Sequence, residues 1–217
     1  MIEFDSVCHS YNTSKGKNIL FNNLSFRINK GEKVGIIGHN GVGKSTLLRL
    51  LGGVEKPVSG NIVRNMSVSW PLAFGGAFQG SLSGLDNTRF ICRVYNKPLE
   101  GAEAYIQNFA ELGDYFYEPV KSYSSGMRAK LAFGISMLID FDCYLIDEIT
   151  AVGDAKFQQK CEYELWEKKS DSAMIIVSHD ENVIKQRCDR VILLEKEEYI
   201  EFTDVEQAFY VYNTNIN

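Results

Sequence analysis

The 217-residue sequence has no block of basic residues, no long apolar run and no paired cysteine spacing. Its 23 lysines and arginines are outnumbered by 28 aspartates and glutamates, for a formal net charge of −5. That balance is a poor footing for non-specific binding to a phosphate backbone, so nucleic acid is not an expected partner. No stretch approaches the roughly 18 apolar residues that span a bilayer, so the chain is not expected to cross a membrane alone. Glu3 and Asp5 stand where a secretory signal needs basic residues, and no apolar segment follows them. Cysteine occurs at 8, 92, 143, 161 and 188, an odd count with no CxxC spacing. A disulfide framework and a cysteine zinc site are thereby excluded, and reduced thiols in a reducing compartment are expected. The four prolines mark no linker, and no internal repeat is visible.

What is present is ordinary core material, 45% hydrophobic and 24% charged. It suits one large domain, or one domain with an inserted lobe. Residues 2–9 and 19–28 alternate apolar with polar, as half-buried strands of an antiparallel patch do. Short continuous apolar runs follow at 34–37, 143–146, 174–177 and 191–194. Runs of that length between helical patterns predict strands covered on both faces, as in a parallel α/β sheet. Helices are expected over 44–51, 102–112 and 128–139, and the Phe157, Cys161, Leu165 stripe predicts another. Residues 85–140 show no buried strand and read as a helical lobe inserted between two strands of the sheet.

Gly38-His39-Asn40-Gly41-Val42-Gly43-Lys44-Ser45 matches GxxxxGK[ST] and is followed by Thr46. A chain of this composition produces such a match by chance about 1% of the time, before its strand–loop–helix context is considered. Glycines let backbone N–H groups turn inward around phosphate oxygens, and the helix start adds a favourable dipole. Lys44 is then expected at the β- and γ-phosphates, and the Ser45 hydroxyl on Mg²⁺.

The run Cys143-Tyr144-Leu145-Ile146 ends in Asp147-Glu148. Carboxylates leaving a buried strand sit at the sheet's carboxyl edge, where α/β ligands bind. Asp147 suits the Mg²⁺ shell, and Glu148 is placed to orient or deprotonate an attacking water. Ser178-His179-Asp180 leaves another buried run. His179 is expected at the same edge, on the γ-phosphate or holding the water and Glu148.

Ser122-Tyr123-Ser124-Ser125-Gly126-Met127-Arg128 places small polar residues at a helix start, Ser124 lying 23 residues before Asp147. In that position it resembles the LSGGQ signature of ABC-type ATPases. Tyr123, Ser125 and Met127 depart from the pattern, while Ser124 and Gly126 keep it. The resemblance covers nearly the whole chain. It puts Tyr11 where the family stacks an aromatic ring on adenine, Ala151-Val152-Gly153-Asp154 at the D-loop, and His179 at the switch histidine. A narrower resemblance joins 147–154 and Phe157-Gln158-Gln159-Lys160-Cys161 to the polysaccharide-exporter branch. Within that branch, Ser69-Trp70-Pro71-Leu72 and Gly84-Leu85-Asp86-Asn87 look most like the capsule exporters. One departure stands out: the usual Q-loop glutamine position falls near Phe74, and the nearest glutamine is Gln79.

The resemblance implies a P-loop NTPase fold of the ABC nucleotide-binding type, with a RecA-like parallel core, an antiparallel β patch and a helical lobe. One domain would fill 1–217, its catalytic core at 1–84 and 141–217 and its lobe at 85–140. It implies a homodimer with ATP between subunits. Tyr11, residues 38–46, Asp147, Glu148 and His179 of one chain would face Ser124, Ser125 and Gly126 of the other, with Asp154 nearby. Mg²⁺ would sit on Ser45 and Asp147, with Gln79 as a further candidate. A separate permease, and periplasmic and outer-membrane export components, would be partners at the cytoplasmic face of a bacterial inner membrane. O-antigen or teichoic-acid export is the near alternative. A soluble ABC ATPase of translation or DNA repair usually carries two cassettes or a coiled-coil insert, neither of which is here. A regulatory binder without hydrolysis is disfavoured by intact Lys44, Asp147 and Glu148.

Overall fold

The computed structural model describes residues 1–14, 16–72, 78–147 and 154–214. The chain divides into two compact units: residues 1–69, 141–147 and 171–214 form one, and 70–72, 78–140 and 154–170 the other.

The first unit holds both β patterns. β1 (Ile2–Thr13) pairs antiparallel with β2 (Gly16–Ile28) and with β4 (Ser59–Arg64). The alternation has a built-in phase shift. Ile2 and Phe4 face the core at even positions, but Val7 and His9 do so at odd ones. A bulge between Phe4 and Val7, with Ser6 at φ 52°, inserts the residue that flips the parity. Across the pair, the Phe4 and Phe26 rings stack 4.5 Å apart.

The second sheet, among the described residues, has six strands in the order β5-β6-β7-β3-β8-β9. These are β3 (Lys33–Gly38), β5 (Val68–Pro71), β6 (Cys143–Asp147), β7 (Ala173–Val177), β8 (Arg190–Leu194) and β9 (Tyr199–Phe202). β6, β7, β3 and β8 run parallel, and β9 returns antiparallel on β8. The central residues of the four parallel strands are buried on both faces, the environment that continuous apolar runs require. α1 (Lys44–Leu51) follows β3, α6 (Glu181–Arg187) follows β7, and α7 (Val205–Thr214) ends the unit. β4, β5, β9 and α7 carry no strong sequence pattern. Each is short or amphipathic in a weak way.

The second unit contains α2 (Gly84–Val94), α3 (Ala102–Ala110), α4 (Ser125–Leu138) and α5 (Ala155–Glu162), which runs into a π turn at Tyr163–Glu167. Its core is aromatic. Phe109 stacks with Tyr105 and Phe133 and meets Phe157 edge-on at 5.2 Å. A Cβ on Gly134 would come within 3.0 Å of the Phe109 ring, so the glycine sets how closely α3 and α4 approach. This unit is larger than the 85–140 lobe expected from the sequence. Phe157 and Leu165 bury into it, so α5 and its π turn belong there, and its chain enters at Trp70. Trp70 is tied in by its indole N–H, which donates to Ser136 Oγ at 2.7 Å.

Candidate functional site

β3 delivers the chain to the carboxyl edge of the parallel sheet, and the glycine-rich loop begins there. Gly41 and Gly43 hold φ of 83° and 115°. At Gly43 a side chain would also collide with the Phe21 ring, 2.9 Å from an ideal Cβ. The loop closes through the Val42 N–H on the His39 carbonyl and the Leu47 N–H on the Gly43 carbonyl. α1 starts at that glycine with no side-chain cap and no acid in its first turn. A helix start without a cap or an acid favours an anion through its dipole. Lys44 Nζ folds back to the carbonyls of Gly38 at 2.6 Å and His39 at 3.1 Å, with the ammonium in the mouth of the loop. Ser45 is exposed, and Thr46 is buried under it.

The other expected groups reach the same edge by strand register. Asp147, Val177 and Ile36 lie side by side across β6, β7 and β3. At about 4.8 Å per strand, Asp147 stands one strand from β7 and roughly 10 Å from β3. Two residues past Val177 comes His179, and two past Ile36 comes Gly38. The structure thus brings together the phosphate loop, Asp147 and His179 within one unit. Glu148 lies outside the described residues, as do Phe74, Ala151, Val152 and Gly153.

Tyr11 is more tied down than an adenine platform alone requires. Its hydroxyl donates to Glu55 Oε2 at 2.6 Å and accepts from Arg49 Nη2 at 2.8 Å. Arg49 also donates to Thr46 Oγ1 and pairs with Glu55 Oε1 at 3.0 Å. The Tyr11 hydroxyl, together with Arg49, holds the Glu55 carboxyl below the usual carboxylate range. His9 packs edge-on against Tyr11, with Nε2 3.6 Å from Glu55, too far for a hydrogen bond. Both ring nitrogens of this buried histidine lack hydrogen-bond partners among the described residues. Sequence reasoning missed His9, Arg49 and Glu55. The bonds to Tyr11 cross 38 and 44 residues, and no local spacing encodes them.

In the helical unit, Ser124 caps α4, its Oγ accepting the Met127 N–H at 3.2 Å. Ser125 and Gly126 form the first turn. Tyr123, one departure from the signature, is a core residue whose hydroxyl donates to the Tyr115 carbonyl. Asp154 caps α5 through the Phe157 N–H and lies 3.6 Å from Lys130. Gln79 is exposed, and its backbone is pinned from both sides by the Asn87 side chain.

The sequence pattern of the ABC transporter family matches residues 21–151, more than half of the chain. The chain belongs to the ABC transporter family. The capsule polysaccharide export ATP-binding protein CtrD of Neisseria meningitidis is 53% identical to this cassette over 214 residues, 99% of each chain. The polysialic acid transport ATP-binding protein KpsT of Escherichia coli is 49% identical over 200 residues, 91% of each. O-antigen and teichoic-acid export ATP-binding proteins match at 36 to 39%. A dimeric structure of the ATP-binding cassette MJ0796 with ADP and Pi superposes with a TM-score of 0.75 at 21% identity, over 93% of this chain and 98% of that one. The expected ABC-type α/β fold and the ATPase reading hold, and the cassette's nucleotide is ATP. No described helix is long and apolar enough to cross a membrane.

Proposed function

We propose that this cassette hydrolyses ATP to drive export of capsular polysaccharide through a separate membrane permease, as a homodimer at the cytoplasmic face of a bacterial inner membrane. The observation that carries this reading is the likeness to CtrD over almost the whole of both chains, well above that to exporters of other glycans. Periplasmic and outer-membrane components would complete the path.

The geometry supports definite roles. The loop N–H groups and Lys44 bind and neutralise phosphate oxygens, and Lys44 follows the γ-phosphate as charge develops. Among the described residues no cluster of three histidines, cysteines or carboxylates exists to cage a metal. A hydroxyl and a single carboxylate, Ser45 and Asp147, fit a hard cation such as Mg²⁺ that keeps water and phosphate oxygens as its remaining ligands. Bound there, Mg²⁺ would neutralise charge on the phosphates. Gln79 is the less favoured third ligand, because it lies five residues past the usual glutamine position near Phe74. Glu148 orients or deprotonates water, and His179 meets the γ-phosphate. Tyr11 and residues 38–46 hold the nucleotide, while Ser124, Ser125, Gly126 and Asp154 serve the partner subunit's ATP.

Two experiments test this. Glu148→Gln should retain ATP binding and lose turnover by 100-fold or more in a steady-state phosphate-release assay; substantial hydrolysis would remove Glu148 from the mechanism. In the native host, Lys44→Ala should trap capsular polymer inside the cell. Loss of surface O-antigen or wall polymer instead would move the protein to the sister exporters.

A further inference from the structure

The C-terminal helix reaches the nucleotide edge. Asp204 caps α7 through the N–H groups of Glu206 and Gln207, and Ala208 and Phe209 bury its inner face. Lys185 on α6 pairs with Glu206 at 3.1 Å, joining α7 to the helix that follows His179. Phe209 then supports Tyr212 edge-on one turn later, their centroids 6.1 Å apart. From there Tyr212 makes two contacts with different motifs. Its ring stacks on His39 of the phosphate loop, centroids 4.9 Å apart and planes within 26°. Its hydroxyl stands 3.5 Å from His179 Nδ1. One side chain therefore spans the loops that leave the neighbouring strands β3 and β7.

We propose that Tyr212 is a positioning residue for ATP hydrolysis, fixing the tautomer of His179 and bracing His39. The proposal rests on the reading that His179 meets the γ-phosphate. A neutral imidazole carries one N–H and one acceptor nitrogen, and the bond made by one nitrogen decides the state of the other. Either group can be the donor in this contact; we take the tyrosine hydroxyl as donor and Nδ1 as acceptor. Donation to Nδ1 leaves the proton on Nε2, the nitrogen that can then donate to a phosphate oxygen. The opposite tautomer would turn a lone pair towards the phosphate. The stack on His39 acts on binding instead, since the His39 carbonyl is one of the two that receive Lys44 Nζ. The two contacts thus separate into a rate effect and an affinity effect. At 3.5 Å in a solvent-exposed place, the hydroxyl contact supports an effect of several-fold rather than abolition.

The test uses the full chain with ATP and Mg²⁺. Tyr212→Phe keeps the ring and removes the hydroxyl. It should lower kcat three- to tenfold with KM for ATP within twofold, and Tyr212→Ala should in addition raise KM. The sequence has only three histidines, so ¹⁵N long-range correlation spectra can report the His179 tautomer directly. In Tyr212→Phe that signal should move towards a mixture of tautomers. An unchanged His179 signal overturns the proposal whatever happens to the rate, and so does a shifted signal with wild-type kcat. His179→Ala separates the two readings. If that variant keeps wild-type turnover, the γ-phosphate role of His179 fails and the catalytic claim for Tyr212 falls with it. If it is inactive while Tyr212→Phe matches wild type, only the Tyr212 proposal fails.

Discussion

Two helices of this cassette begin at motifs read as phosphate sites, and they begin differently. α1 starts at Gly43 with no side-chain cap, while α4 starts at Ser124, whose own hydroxyl takes the Met127 N–H. The first helix has no side-chain cap among the described residues. The second has already satisfied one of its opening N–H groups. Of the two, the phosphate loop opens its helix without a side-chain cap, and the signature opens its helix with one. Backbone geometry follows the same division. The phosphate loop needs φ above zero at Gly41 and Gly43, whereas Gly126 has an ordinary φ and open space around its Cβ position.

Alanine at the two glycines should separate these regions most strongly. Gly43→Ala forces a side chain to φ 115° and against Phe21, and should cost about 1–3 kcal/mol of folding stability. It should also abolish the thermal stabilisation that ATP gives the wild type, since bound ligand raises stability only through the native state. Gly126→Ala meets nothing closer than the Ser124 hydroxyl at 3.9 Å. In a helical turn it should be neutral or stabilising by up to about 1 kcal/mol. Urea titration reads both. Equal losses at the two positions would erase the contrast drawn here.

Ser124→Ala is the next smaller effect. Loss of the cap should cost about 1 kcal/mol in chemical denaturation and leave monomeric ATP binding at the phosphate loop unchanged. If the signature serves a partner's ATP, turnover should fall by more than stability explains. A variant that loses the stability yet hydrolyses ATP at the wild-type rate would make Ser124 a helix cap and nothing more.

The same contrast explains what could be read in advance. The phosphate loop, Asp147 and His179 follow buried parallel strands, and such strands announce themselves as unbroken apolar runs ending in polar residues. Their meeting at one edge then follows from topology. The boundary of the helical unit at Trp70 was not legible, because it depends on an indole bonding Ser136 across 66 residues. The bulge at Ser6 was hidden as well, since a single inserted residue only shifts the phase of an alternation. Tyr212 gave no signal either. Its helix carries a modest stripe, Ala208, Phe209 and Tyr212, and its two histidine partners are distant in the chain.

Tyr11 shows why a recognised residue can still be incompletely understood. Family resemblance assigns its ring to adenine, but the structure commits its hydroxyl to Glu55 and Arg49. These two jobs use different atoms and should separate by mutation. Tyr11→Phe keeps the ring and breaks the chain from Arg49 through the hydroxyl to Glu55. The pair stays linked by its direct contact at 3.0 Å, so neither charge is left stranded. The expected loss is about 0.5–1.5 kcal/mol of stability, the net worth of a partly exposed hydrogen bond, with KM for ATP changed less than twofold. Tyr11→Ala should raise KM well beyond that and cost more stability, since the ring also packs on His9 and the core. If instead phenylalanine raises KM as much as alanine does, the hydroxyl network holds the ring in place for the nucleotide, and Arg49 and Glu55 join the binding site by positioning it.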